Sequence, residues 1–268
     1  MNKLVQLLRY DVRAQIGFIL FLISLYTTFV GKFYQESIDI YIAVAAAIII
    51  DGLILRLQKK KFVFPYSAVV AGFLIGLILN PQLPSWQFAL IASIAIISKY
   101  LILPGKSHIF NPAAFGLVFA SIIFDGAISW WGVAWSSQIW IFIFLAAGYV
   151  LLRLRRIWLP VGFLLVYWSY LTIIGGFSIS IISDPTVALF TFVMLPEPQT
   201  SPIRNYFRYL FGVLVALSLV FYSALVPKLQ TDLLLISLLT ANLLAFIFLI
   251  LQSKISAFGV AKKPKPPV

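Results

Sequence analysis

Long apolar runs, broken at intervals by short polar segments, make up most of this chain. Runs long enough to cross a bilayer, or nearly so, occupy residues 16–34, 38–57, 65–79, 86–103, 112–124, 138–152, 157–174, 185–195, 206–226 and 231–251. Lipid offers no water to backbone N–H and C=O groups, so each run is expected to be a helix. A full crossing takes roughly 20 residues. The fifth and eighth runs fall short of that, and the third and sixth do so less clearly, which predicts half-length or broken helices. The expected fold is therefore all-α: a polytopic membrane protein of ten transmembrane helices. Ten spans divide into two sets of five, and an odd number in each set turns the halves opposite ways across the bilayer. This is the pattern of an inverted repeat.

The interruptions carry the second signal. Residues 194–202 read Met-Leu-Pro-Glu-Pro-Gln-Thr-Ser-Pro, which places three prolines, a carboxylate and two hydroxyls between apolar runs. With an offset of 117 residues, Ala71–Gln82 lies over Ala188–Gln199, matching Ala71 with Ala188, Phe73 with Phe190, Pro81 with Pro198 and Gln82 with Gln199. Asn80 in the first copy takes the place of Glu197 in the second, and both copies begin after a proline, Pro65 and Pro185. Inverted repeats of this type gather their broken helices around a site near the membrane midplane.

Composition agrees with the pattern and adds orientation. Mean hydropathy is +1.03 and charged residues make up only 10%, against about 25% in soluble domains. The net charge of +12 invites a nucleic-acid reading that its distribution excludes. With ten spans and a cytoplasmic amino terminus, 18 of the 20 lysines and arginines fall inside and only Lys32 and Lys228 outside, the bias expected of cytoplasmic loops. This divides the chain into a cytoplasmic segment at 1–15, a transmembrane domain at 16–251 and a basic, proline-rich cytoplasmic tail at 252–268. Repeat one covers about 16–124 and repeat two about 138–251. The first run lacks a small-residue cleavage pattern and reads as a retained helix. With no cysteine and one histidine, the chain cannot hold a thiolate-bound iron–sulfur cluster, a structural zinc or a bis-histidine haem.

Few residues in such a chain can carry chemistry. Asp51, toward the inner end of the second run, needs a partner, a proton or water, because a mid-bilayer charge costs about 2.5–3.5 kcal/mol on insertion scales. It is read either as a paired structural carboxylate or as part of an ion or proton path. Glu197 sits in the triple-proline turn and shares that path reading. Thr200 and Ser201 are placed to cap the ninth helix, where backbone amides favour an anion. In the first half, Asn111 can cap the fifth helix, Pro112 suits its first turn, and Ala113 permits close approach. Asn80 and Pro81 complete a candidate cofactor or substrate cavity. His108 is read as a solvated or hydrogen-bonded loop histidine, with a proton carrier as the alternative. Trp130, Trp131 and Trp135 are expected along the outer interface, with stacking on a planar cofactor as the alternative.

These segments carry a family resemblance. Pro65 through Asn80-Pro81 and Trp86, then His108-Ile109-Phe110-Asn111-Pro112-Ala113, then Met194, Glu197, Pro198, Thr200, Ser201 and Pro202 occur in the order seen in the D-type membrane subunit of the Rnf complex and its counterpart, the B-type subunit of the sodium-translocating NADH:quinone reductase. Here glutamate replaces the usual aspartate. The resemblance covers about residues 40–250. It implies a membrane subunit taking part in flavin-linked electron transfer coupled to ion movement, with other membrane subunits as partners, in the inner (cytoplasmic) membrane with both termini cytoplasmic. The chain departs from the family at the flavin. Those subunits hold FMN through a threonine in a Ser/Thr-Gly-Ala-Thr motif, whereas the corresponding stretch here is Asp125-Gly126-Ala127-Ile128-Ser129-Trp130, and no threonine lies between Thr28 and Thr172. No covalent FMN is expected. A flavin (FMN or riboflavin) held without a covalent bond, or electrons received from a partner, remains open. The alternative function is a secondary transporter or channel for a small solute or vitamin-like molecule on the same scaffold.

Overall fold

The computed structural model describes residues 11–59, 63–102, 108–176, 178–197, 200–201, 205–226 and 231–261. Apolar helices fill all ten runs: α1 Val12–Phe29, α2 Glu36–Leu57, α3 Tyr66–Ile78, α4 Ser85–Leu101, α5 Pro112–Ile123, α6 Gln138–Arg153, α7 Trp158–Ile173, α8 from Pro185, α9 Asn205–Leu225 and α10 Leu233–Ala261. Four of them, α1, α2, α9 and α10, are long and apolar enough to cross a membrane outright, and the other six are shorter. This is an all-α, multi-pass membrane protein, with no strand among the described residues. The basic tail beyond residue 261 and the first ten residues lie outside the described part.

Sequence sets the ends of the short helices. α5 starts where Asn111 caps it, the side chain accepting from the Ala114 N–H at 3.0 Å, with Pro112 in the first turn. α8 starts the same way, Asp184 accepting from the Thr186 N–H at 2.8 Å ahead of Pro185. After Leu189 this helix widens into a π segment, Phe190–Met194, closed by the Leu195 N–H on the Phe190 carbonyl at 2.9 Å. Such wide turns are rare and concentrate at functional sites. α3 stops at Ile78, and Leu79 passes into a single antiparallel bridge with Ile128.

The pairing of helices repeats between the halves. α1 packs on α3, α2 on α3 and α4, and α4 on α5; in the second half α6 packs on α8, α7 on α8 and α9, and α9 on α10. Across the molecule the partners are α1 with α6 and α5 with α10, which are equivalent elements under a 1-to-6, 5-to-10 numbering. The α7–α9 crossing is tight enough that a Cβ at Gly162 would meet the Tyr209 carbonyl, and one at Gly212 the Leu159 carbonyl. Small residues permit this backbone approach between membrane helices.

The tryptophan loop packs against the helices around it. Trp130 is buried and donates to Asp232 Oδ2 at 2.8 Å, and Trp131 donates to the Gly76 carbonyl at 3.0 Å. Trp135 stacks on Tyr26 with ring centroids 5.4 Å apart. The indole N–H groups of Trp130 and Trp131 thus find protein acceptors at helix ends.

Candidate functional site

Several of the singled-out residues converge where α5 begins and α8 ends. Asn111 Nδ2 donates to the Met194 carbonyl at 3.3 Å, so the start of α5 is tied to the last π turn of α8. Asn242 of α10 accepts from the Asn111 N–H at 3.2 Å and donates to the Thr200 carbonyl at 3.4 Å. Glu197 follows this junction. Its Oε2 accepts from Thr200 Oγ1 at 3.2 Å, and its Oε1 lies 3.6 Å from His108 Nε2. His108 is only 4% exposed, and Nε2 has no hydrogen-bond partner. The solvated-loop reading of this histidine is therefore corrected: Ile109 and the α5 start fold it inward, against the carboxylate.

Thr200 and Ser201 turn back onto Glu197, Ser201 Oγ donating to the Glu197 carbonyl at 2.6 Å; residues 202–204, ahead of the α9 start at Asn205, lie outside the described residues. Ser201 in turn accepts from Arg156, whose guanidinium also donates to the Pro196 carbonyl at 3.3 Å. Burial, and then the neighbouring Arg208, bring the Arg156 pKa down to about 10, so it stays charged at neutral pH. Pro198, Gln199 and Pro202 of the same motif lie outside the described residues.

A cavity of about 30 Å³ opens beside Glu197, lined on its polar side by Arg13, Ser67, Asn111 and Glu197, with Pro112 and Ala113 in its wall. Arg13 comes from α1 and Ser67 from α3 of the first half, and Val193 and Glu197 come from the second, so the cavity lies between the two halves. Sequence reasoning missed Arg13 and Ser67. Arg13 counted only as a topogenic charge, and Ser67 carried no signal. Ser67 connects the cavity to Asp51: Lys99 Nζ donates to Ser67 Oγ at 2.9 Å and to Asp51 Oδ1 at 2.8 Å. Tyr100 donates to the same Asp51 oxygen at 2.8 Å. Asp51, 2% exposed, is thus fully paired, as an intramembrane carboxylate must be.

Asn80 and Pro81 do not reach this cavity. Asn80 donates from Nδ2 to the Gly126 carbonyl at 2.9 Å and from its backbone N–H to the Ala127 carbonyl at 2.7 Å, beyond the far end of α5. Glu197 sits at the near end of α5, and twelve residues of helix at 1.5 Å rise separate the two by roughly 18 Å. The idea of one cavity between Asn80 and Glu197 is corrected for a topological reason. Equivalent positions of oppositely facing halves end on opposite sides.

The space available bears on whether a flavin could sit here. Pockets for ligands of drug size hold about 300–1,000 Å³, and this one has the volume of about one liquid water. Ser129, the formal substitute for the esterified threonine, is exposed and its N–H bonds the Ile78 carbonyl at 3.0 Å. The cavity is small, its wall is largely apolar (Ile16, Val70, Ala71, Leu74, Val193) around Arg13, Ser67, Asn111 and Glu197, and an isoalloxazine ring does not fit it.

Known proteins share this sequence pattern. The NQR2, RnfD, RnfE family model matches residues 11–138. The amino-terminal half of this membrane protein is therefore similar to that family. The D-type subunit of the ion-translocating oxidoreductase complex of Methanosarcina acetivorans is 24% identical over 203 residues, 69% of this chain and 70% of that one. The corresponding subunits of Cronobacter sakazakii and Alcanivorax borkumensis are 30% and 35% identical over 102 residues, 37% of this chain. The match spans about three tenths of those two relatives' length, 29% and 30%. The family match takes in Arg13, Ser67, Lys99, His108 and Asn111, whereas Glu197 lies beyond it.

Proposed function

We propose that this chain is a membrane component of an ion-translocating electron-transport complex, acting with other membrane subunits in the cytoplasmic membrane with both termini inside. The observation that carries the reading is the water-sized cavity between the halves, where a carboxylate from the broken α8 faces an arginine from α1 and the capped start of α5. Broken helices around a polar intramembrane site are the construction used to pass ions by alternating access. The matching helix pairs of the two halves support an inverted repeat around that site. Electrons are read as belonging to partner subunits, since no threonine stands where the ester would form and this cavity has no room for a ring. The small volume also argues against the alternative of carrying a vitamin-sized solute.

Two measurements test this. Affinity purification of the tagged chain in mild detergent is expected to bring down redox-active membrane partners; isolation of a colourless lone protein that takes up a small solute in liposomes would overturn the reading. In the assembled complex, Glu197→Gln is expected to reduce redox-driven ion uptake at least about tenfold, below the full effect of a positioned acid–base group, with unchanged amounts in the membrane. Acid precipitation should leave no flavin in the protein pellet.

A further inference from the structure

The cavity wall has a chemistry of its own that selects among ions. A hard metal cation takes six or more oxygen ligands. Here Ser67 Oγ is already engaged by Lys99, and the Asn111 side-chain oxygen by the Ala114 N–H. Glu197 Oε2 is engaged by Thr200, and the Arg13 guanidinium faces the same space. That leaves Glu197 Oε1, whose neighbour is a nitrogen: His108 Nε2 at 3.6 Å, buried and unpartnered. Among the described residues no group of three or more acidic, histidine or cysteine side chains is placed to hold a metal ion.

We infer that His108 and Glu197 form a proton-exchanging pair at this cavity, and that the ion this chain handles is a proton. The inference rests on the ion-translocating reading above. The pair exchanges between two forms, carboxyl with neutral imidazole and carboxylate with imidazolium, and in the first His108, as the Nδ1–H tautomer, presents the Nε2 lone pair. Once the pair closes from 3.6 Å to hydrogen-bond distance, transfer breaks the carboxyl O–H and forms the Nε2–H, giving carboxylate and imidazolium with no change in total charge. Ser67 lines the same cavity as Glu197. Behind Ser67 stand Lys99, Asp51 and Tyr100. The other charges facing the pair are Arg13 on α1 and Arg156, held through Pro196 and Ser201.

The chain contains a single histidine, which makes the test direct. Full-length protein labelled with ¹⁵N-histidine in lipid nanodiscs is titrated by NMR. His108 is expected to titrate, and Glu197→Gln to lower its midpoint by about one pH unit or more, because the charge that favours imidazolium is removed. Arg13→Gln is expected to shift the midpoint upward, and serves if the first variant does not accumulate. Identical midpoints in wild type and variants overturn the pairing. A midpoint that moves when sodium replaces potassium at constant ionic strength places a metal cation on Glu197 and overturns the proton assignment. Neither result depends on whether redox partners co-purify, so failure here is distinguishable from failure of the complex reading.

Discussion

Asp51 and Lys99 show how a charged residue survives among apolar helices. The carboxylate is 3% exposed at its side chain and the ammonium 15%, so each is stable as an ion only because the other is there. Breaking such a pair from one side leaves an uncompensated buried charge and costs about 3–5 kcal/mol, whereas replacing both partners with apolar groups of similar size is often close to neutral. Lys99→Met is therefore expected to lower the thermal midpoint in detergent strongly, and the double change Asp51→Asn with Lys99→Met to recover most of it. A double variant as unstable as the single one would show that Asp51 is held by Tyr100 rather than by charge. His108 and Glu197 differ from that pair: at 3.6 Å with an unpartnered Nε2, they stand just outside hydrogen-bond distance and must close to about 3 Å to exchange a proton. The sequence identified Glu197 and Asn111 as unusual, because prolines and caps leave a local signature. It did not reveal Arg13 and Ser67, whose roles come from helix rotation.

Helices in this fold end where a local instruction says so. Asn111-Pro112 and Asp184-Pro185 each supply a capping side chain and a proline suited to the first turn, a pattern legible in sequence. The π segment at Phe190–Met194 is not legible in that way. Its sequence is almost uniformly apolar, and the extra residue is accommodated because Asn111 takes up the Met194 carbonyl. Close packing is as local in its demands. At Gly212 an added side chain would run into the Leu159 carbonyl and the Phe163 N–H of α7, so Gly212→Val is expected to separate α7 from α9. The check is loss of folded protein in fluorescence-detected size exclusion. A stable, monodisperse variant would show that the crossing is looser than described.

At the scale of the whole molecule, orientation and inversion make a joint prediction. With its natural lack of cysteine, the chain suits single-cysteine labelling. Gln82→Cys, in the exposed turn after α3, is expected to react with an impermeant maleimide from outside; Gln58→Cys, after α2, only once the membrane is permeabilised. The opposite pattern would invert the topology. Ten helices, their order and the side each loop is expected to face followed from the sequence alone, because lipid forces every apolar run into a helix and loop charge records orientation. What faces what did not follow. In spans that are apolar all round, periodicity carries no rotational information, so only tertiary packing decided that Asn80 and Glu197 lie at opposite ends of α5 and that Arg13, Ser67 and His108 gather around one carboxylate.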